Sequence, residues 1–127
     1  MRLLCADDDE DIRAILRLAL GLDAELHTEI VDSGEAALVR AAEDPFDAIL
    51  LDAMMPGLDG YETCRRLKAD PATACIPVVF LTAKTGSAEH KRAIGVGALG
   101  ALTKPFDPMT LAKELRALLN EAAHRTA

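Results

Sequence analysis

Short apolar runs alternate along this chain with longer stretches in which apolar residues recur at helical spacing. Leu3–Ala6, Asp47–Leu51, Ile76–Leu81 and Leu99–Thr103 read as strands, and Leu26–Val31 as a more polar strand suited to a sheet edge. The Asp47–Leu51 run is almost wholly apolar, as expected of a central strand covered on both faces. After the first strand, Ile12, Ile15, Leu16, Ala19 and Leu22 share a helical face that ends near Gly21. Ser33 caps a second helix from Gly34 to about Glu43, which Asp44-Pro45 stops. A third helix turns Tyr61, Cys64 and Leu67 inward and ends at Asp70-Pro71. Ser87–Val96 reads as a weak, comparatively mobile helix with glycines at its end. Asp107-Pro108 reads as an N-cap followed by proline at the first helical position, and Leu111, Leu115, Leu118 and Leu119 form the stripe of the last helix. Five βα units without repeat, linker or low-complexity stretch predict one α/β domain over residues 1–127, wound around a parallel sheet.

Four of the apolar runs end in residues suited to phosphate or metal chemistry: Asp7-Asp8, Asp52, Thr82 and Lys104-Pro105. In an open parallel sheet all carboxyl ends of the strands lie on one edge, where ligands bind, so these residues are expected to meet. Three acids and one lysine then carry a formal charge of -2, and two carboxylates about 4 Å apart repel by roughly 4 kcal/mol at an effective dielectric of about 20. Such a cluster takes up protons or binds a cation. An all-oxygen set with room for water suits Mg²⁺, or Mn²⁺ in its place, whereas EF-hand spacing for Ca²⁺ is absent. A carboxylate beside a metal, a lysine and a hydroxyl can attack a phosphoryl group. Asp52, alone at the end of the most apolar strand, is the candidate nucleophile; Asp7 and Asp8 look like a metal-holding pair; Thr82 and Lys104 are placed to hold phosphoryl oxygens. Taken singly, Asp52 and Thr82 would be read as capping residues, and Asp9–Asp11 are read as a solvated acidic cap.

Composition narrows the classes. A net charge of -7 and a pI near 4.9 argue against direct nucleic-acid binding. No apolar run is long enough to cross a membrane, and Asp7 interrupts the first run too early for a signal peptide. The three cysteines (Cys5, Cys64, Cys75) lack metal or disulfide spacing and read as small packing residues, fitting a reduced, cytoplasmic setting. His27, His90 and His124 read as surface residues, and Arg65-Arg66-Lys68 and Lys91-Arg92 as solvated helix faces.

Leu3–Asp9, Leu50–Gly60, Leu81-Thr82-Ala83 and Leu102–Phe106 together resemble the receiver domain of two-component response regulators, in order and over essentially the whole chain. The resemblance implies a CheY-like, flavodoxin-like (βα)5 fold with strand order 2-1-3-4-5, a topology that obeys the strand-end ligand rule. It implies that Asp52 accepts a phosphoryl group from the phosphohistidine of a histidine kinase or phosphotransfer protein. It also implies that Asp8, Asp52 and the Met54 carbonyl bind Mg²⁺, with Asp7 helping through water, and that Thr82 and Lys104 contact the phosphoryl group. Met54 and Lys84 are then expected to flank that group. The resemblance further implies a cis peptide between Lys104 and Pro105, although only about 5–6% of X-Pro bonds in folded proteins are cis.

One position departs from the pattern. Many receivers carry Tyr or Phe three residues before the lysine, a ring that turns inward with the threonine; here it is Ala101. Output through Thr82 or another side chain therefore remains to be found. The expected output is contact with a downstream protein or an output domain, and the Met1 start favours a stand-alone protein; dimerisation on phosphorylation is left open. Two competitors are weighed against this reading. A haloacid-dehalogenase-type hydrolase would need Thr or Val where Asp11 stands, and a phosphorylation-independent adaptor would have lost an acid or the lysine.

Overall fold

The computed structural model describes residues 1–83 and 86–126. Strands β1 (Arg2–Ala6), β2 (His27–Val31), β3 (Ala48–Asp52), β4 (Val78–Thr82) and β5 (Gly100–Thr103) form one parallel sheet in the order β2-β1-β3-β4-β5. Helices α1 (Glu10–Gly21), α2 (Gly34–Glu43), α3 (Gly60–Ala69), α4 (Ser87–Gly95) and α5 (Leu111–Thr126) connect and flank them. This is the flavodoxin-like, doubly wound arrangement.

Alternation along the central strands divides the core in two. Leu3, Cys5, Leu50, Val79 and Leu81 pack with Leu16 and Leu20 of α1 and Leu111 and Leu115 of α5. Leu4, Ile49, Leu51, Val78 and Phe80 face the other way, against Ala37 of α2, Tyr61, Cys64 and Leu67 of α3 and Ala93 of α4. Every residue of β3 and β4 is buried, which is why these runs read as continuous apolar segments. Edge strand β2 is only partly covered.

Local signals set most helix starts. The side chains of Asp9, Ser33 and Asp59 accept backbone N–H bonds at the starts of α1, α2 and α3. The last helix departs from expectation. The Asp107 carboxylate does accept from Met109 N at 2.9 Å, but Thr110 N and Leu111 N both donate to the Asp107 carbonyl. A tight turn therefore occupies residues 108–110, and α5 proper begins at Leu111. Strand β4 starts two residues late because Pro77 has no N–H to give, although its carbonyl accepts from Ile49 N at 2.9 Å.

Two surface and packing readings also change. Cys75 is exposed, while Cys5 and Cys64 are buried; burial pushes the Cys64 thiol up to about 11. Lys68 is not solvated: it donates to the carbonyls of Ala74 at 3.0 Å and Ile76 at 2.6 Å, and burial holds its ammonium below the usual lysine range. Arg92 lies over the Tyr61 ring, 3.8 Å from its centroid. His27 and His90 are exposed as expected; the His124 side chain lies outside the described residues.

Candidate functional site

Register brings the chemistry to one edge. Ala6 pairs with Leu51, Asp52 with Leu81, and Thr82 with Thr103, so the residues following β1, ending β3 and β4, and following β5 stand side by side. Asp7 is fully buried. One of its carboxylate oxygens accepts from Asp9 N at 2.9 Å and the other from Lys104 Nζ at 2.9 Å. The Asp52 carboxylate accepts from Met54 N at 3.2 Å, and its second oxygen lies 3.2 Å from Lys104 Nζ. Lys104, from the last quarter of the chain, thus joins two acids that stand 45 positions apart in its first half.

Asp8 completes the cluster from the solvent side. One carboxylate oxygen from each of Asp7, Asp8 and Asp52 lies within 4.8 Å of the other two. Close oxygens with an exposed member open to water suit a hard divalent cation, so the residues fit Mg²⁺ or Mn²⁺. Burial, and then the charge of Asp7, raises the Asp52 pKa, against the opposing pull of Met54 N–H and Lys104. For Lys104, burial works downward, but the hydrogen bond to Asp7 and the charges of Asp52 and Asp7 outweigh it, and the net shift is upward.

The remaining predicted positions take their places around this centre. Thr82 is buried at the end of β4, and its carbonyl accepts from Lys104 N at 2.8 Å. The Lys104-Pro105 peptide is cis. Met54 is exposed beside Asp52, and Lys84 lies outside the described residues. Ala101 is half-buried. It borders a cavity of about 160 Å³, with Thr82, Glu89 and His90 also among its walls.

Three supporting residues escaped the sequence reading. Arg13 donates to the Asp7 carbonyl at 3.0 Å, and Glu35 accepts from Leu58 N at 3.2 Å, holding the loop after Asp52. Tyr61 reaches α4, where its hydroxyl donates to Glu89 at 2.9 Å. These side chains act on backbone groups or on a distant helix, and no motif spacing announces such contacts. The glycine of this loop did have a legible position: a Cβ on Gly60 would stand 2.2 Å from the Asp52 carbonyl oxygen, so α3 can start against β3 only there.

Acids, a hydroxyl and a lysine are thus gathered on the carboxyl edge of a five-stranded doubly wound domain, and comparison with known proteins shows the family to which such a domain belongs. Residues 3–116 match the response regulator receiver domain family. The chain is 43% identical over 122 residues to the response regulator PleD of Caulobacter vibrioides, covering 92% of this chain and 26% of that protein. It is 35% identical over 122 residues to the transcriptional regulatory protein ResD of Bacillus subtilis, covering 96% and 49%. The chemotaxis response regulator CheY4 of Vibrio cholerae superposes with a TM-score of 0.85 at 32% identity, covering 92% of this chain and 97% of that one. The chain belongs to the response regulator receiver domain family. It spans a quarter to a half of the length of these two curated relatives.

Proposed function

We propose that residues 1–127 form a phosphorylation-switched receiver in which Asp52 is the phosphoryl acceptor. The observation that carries this reading is the Asp52 carboxylate, buried yet held open between Met54 N–H and Lys104 and flanked by Asp7 and Asp8. A carboxylate oxygen of Asp52 attacks the phosphorus of a phosphohistidine on a histidine kinase or phosphotransfer protein. A P–O bond forms, the P–N bond breaks, and its electron pair stays on the imidazole, which is left neutral or takes up a proton.

Once Asp52 is an acyl phosphate, the negative charge of its carboxylate is replaced by that of the phosphoryl oxygens. Lys104, already 3.2 Å from Asp52, follows that charge while keeping Asp7. The Thr82 hydroxyl and neighbouring backbone N–H groups receive another phosphoryl oxygen. Asp8, Asp52 and the Met54 carbonyl would hold Mg²⁺ or Mn²⁺, with Asp7 acting through water. When bound, the ion neutralises charge that Lys104 alone leaves uncancelled. Positioning and charge neutralisation are most of what phosphoryl transfer asks of a protein.

The reaction is stoichiometric switching, not turnover of a substrate. Its output is contact with a downstream protein or an output domain in the cytoplasm. A groove of about 420 Å³ between α4, β5 and α5, which includes Ile94, Leu99 and Leu118, supports a protein-binding role for that face. The acidic balance of -7 supports output without direct nucleic-acid contact. Among the described residues no helix is long and apolar enough to cross a membrane. The test is incubation with acetyl phosphate and Mg²⁺ followed by intact mass. A phosphoryl adduct is expected that disappears with chelator and in Asp52→Ala; an adduct unchanged in that variant refutes the assignment.

A further inference from the structure

Helix α4 is lightly anchored. Ala93 is its only buried residue, and no side chain caps its first turn at Gly86. Its polar attachment to α3 runs through Tyr61, which is buried although it carries a hydroxyl. That hydroxyl donates to Glu89 at 2.9 Å, and Arg92, one turn further along α4, covers the ring at 3.8 Å. On its other side the ring packs against Phe80, with centroids 4.8 Å apart. Phe80 lies two residues before Thr82 on β4, and Gly60, next to Tyr61, rests on the Asp52 carbonyl. One side chain therefore touches the strand that carries Thr82, the helix that starts against Asp52, and α4.

Glu89 connects this attachment to the missing ring. It forms part of the wall of the 160 Å³ cavity that Thr82 and Ala101 also line. Movement of Thr82 toward a phosphoryl group on Asp52 alters that wall, and the wall includes the residue Tyr61 holds. Resting on the receiver reading above, we propose that Tyr61 is a positioning residue of the phosphorylation site: its bond to Glu89 holds α4 and β4 in the unphosphorylated arrangement. A tie made in only one of two arrangements lowers the affinity of any ligand that selects the other.

The experiment titrates the full chain with beryllium fluoride, a phosphoryl mimic, in the presence of Mg²⁺, and measures Kd by calorimetry. Tyr61→Phe keeps the ring and removes only the donor, and Glu89→Ala removes the acceptor. Each is expected to tighten binding about fivefold or more, the lower range of measured couplings between sites. The double variant is expected to match either single one, and Glu89→Gln, which retains an acceptor oxygen, to stay near wild type. Unchanged or weakened binding in both single variants overturns the proposal, as does a lowered urea midpoint with no change in Kd, which would make the tie purely structural. Failure of the wild-type chain to bind the mimic would overturn the receiver reading itself, and the proposal with it.

Discussion

Lys104→Met probes the centre of the site while nearly preserving side-chain volume. The ammonium sits 2.9 Å from Asp7 and 3.2 Å from Asp52, and only 18% of its side chain is exposed. At an effective dielectric of about 20, each contact is worth about 5 kcal/mol in Coulomb attraction before desolvation is counted. Desolvation of three groups offsets much of that, but removing one partner leaves the other acids buried without compensation, at a net cost of about 3 kcal/mol. The deficit should depend on pH. Burial and Asp7 already raise the folded Asp52 pKa above its ordinary 3.8, and loss of Lys104 raises it further. As pH falls the folded variant takes up a proton before the unfolded chain does. The deficit relative to wild type therefore shrinks as pH falls from the variant's Asp52 value to the lower, already raised wild-type one, by up to about 1.4 kcal/mol per pH unit, and returns in full as pH rises. Urea unfolding of variant and wild type at pH 7.5 and pH 5 measures it. A variant within about 0.5 kcal/mol of wild type at pH 7.5, or a deficit equal at both pH values, would refute the reasoning.

Three further outcomes follow from single contacts. Thr28→Val should stabilise the fold by about 1 kcal/mol in urea unfolding, because the Thr28 hydroxyl is buried without a hydrogen-bond partner and valine suits a strand. Gly60→Ala should cost about 1–3 kcal/mol and lower the yield of acetyl-phosphate adduct, since the new methyl meets the Asp52 carbonyl at 2.2 Å and α3 must retreat. Asp8→Asn, at an exposed position, should leave metal-free unfolding within about 0.5 kcal/mol of wild type. It should also abolish the Mg²⁺-dependent stabilisation, which for wild type reaches about 1.4 kcal/mol at tenfold excess over Kd.

The architecture was legible because parallel strands buried on both faces must be apolar throughout, and the runs around Leu4, Leu50 and Val79 advertise that requirement. Asp52 and Lys104 were legible for a related reason: a charged residue ending such a run has only the sheet edge to occupy. Lys68 was misread because a lysine can tuck its ammonium under carbonyls supplied by a later loop, here those of Ala74 and Ile76, and helical spacing carries no trace of that loop. The start of α5 was misplaced because Asp107-Pro108 satisfies the local rules for a cap, while the tight turn that follows is decided by the carbonyl of Asp107. Ala101 showed that a ring was missing but not that Tyr61 approaches α4 from the opposite side. That contact joins residues 28 positions apart through tertiary packing alone.

The lysine between Asp7 and Asp52 also bears on how such a domain lives in a cell. A basic side chain of its own stands among the acids, so the polypeptide carries a built-in counter-charge for part of their negative charge. On the proposed function, the resting fold would then lean on this internal counter-charge as well as on magnesium. On that same reading, scarcity of the ion would slow phosphoryl transfer to Asp52 more than it would weaken the fold.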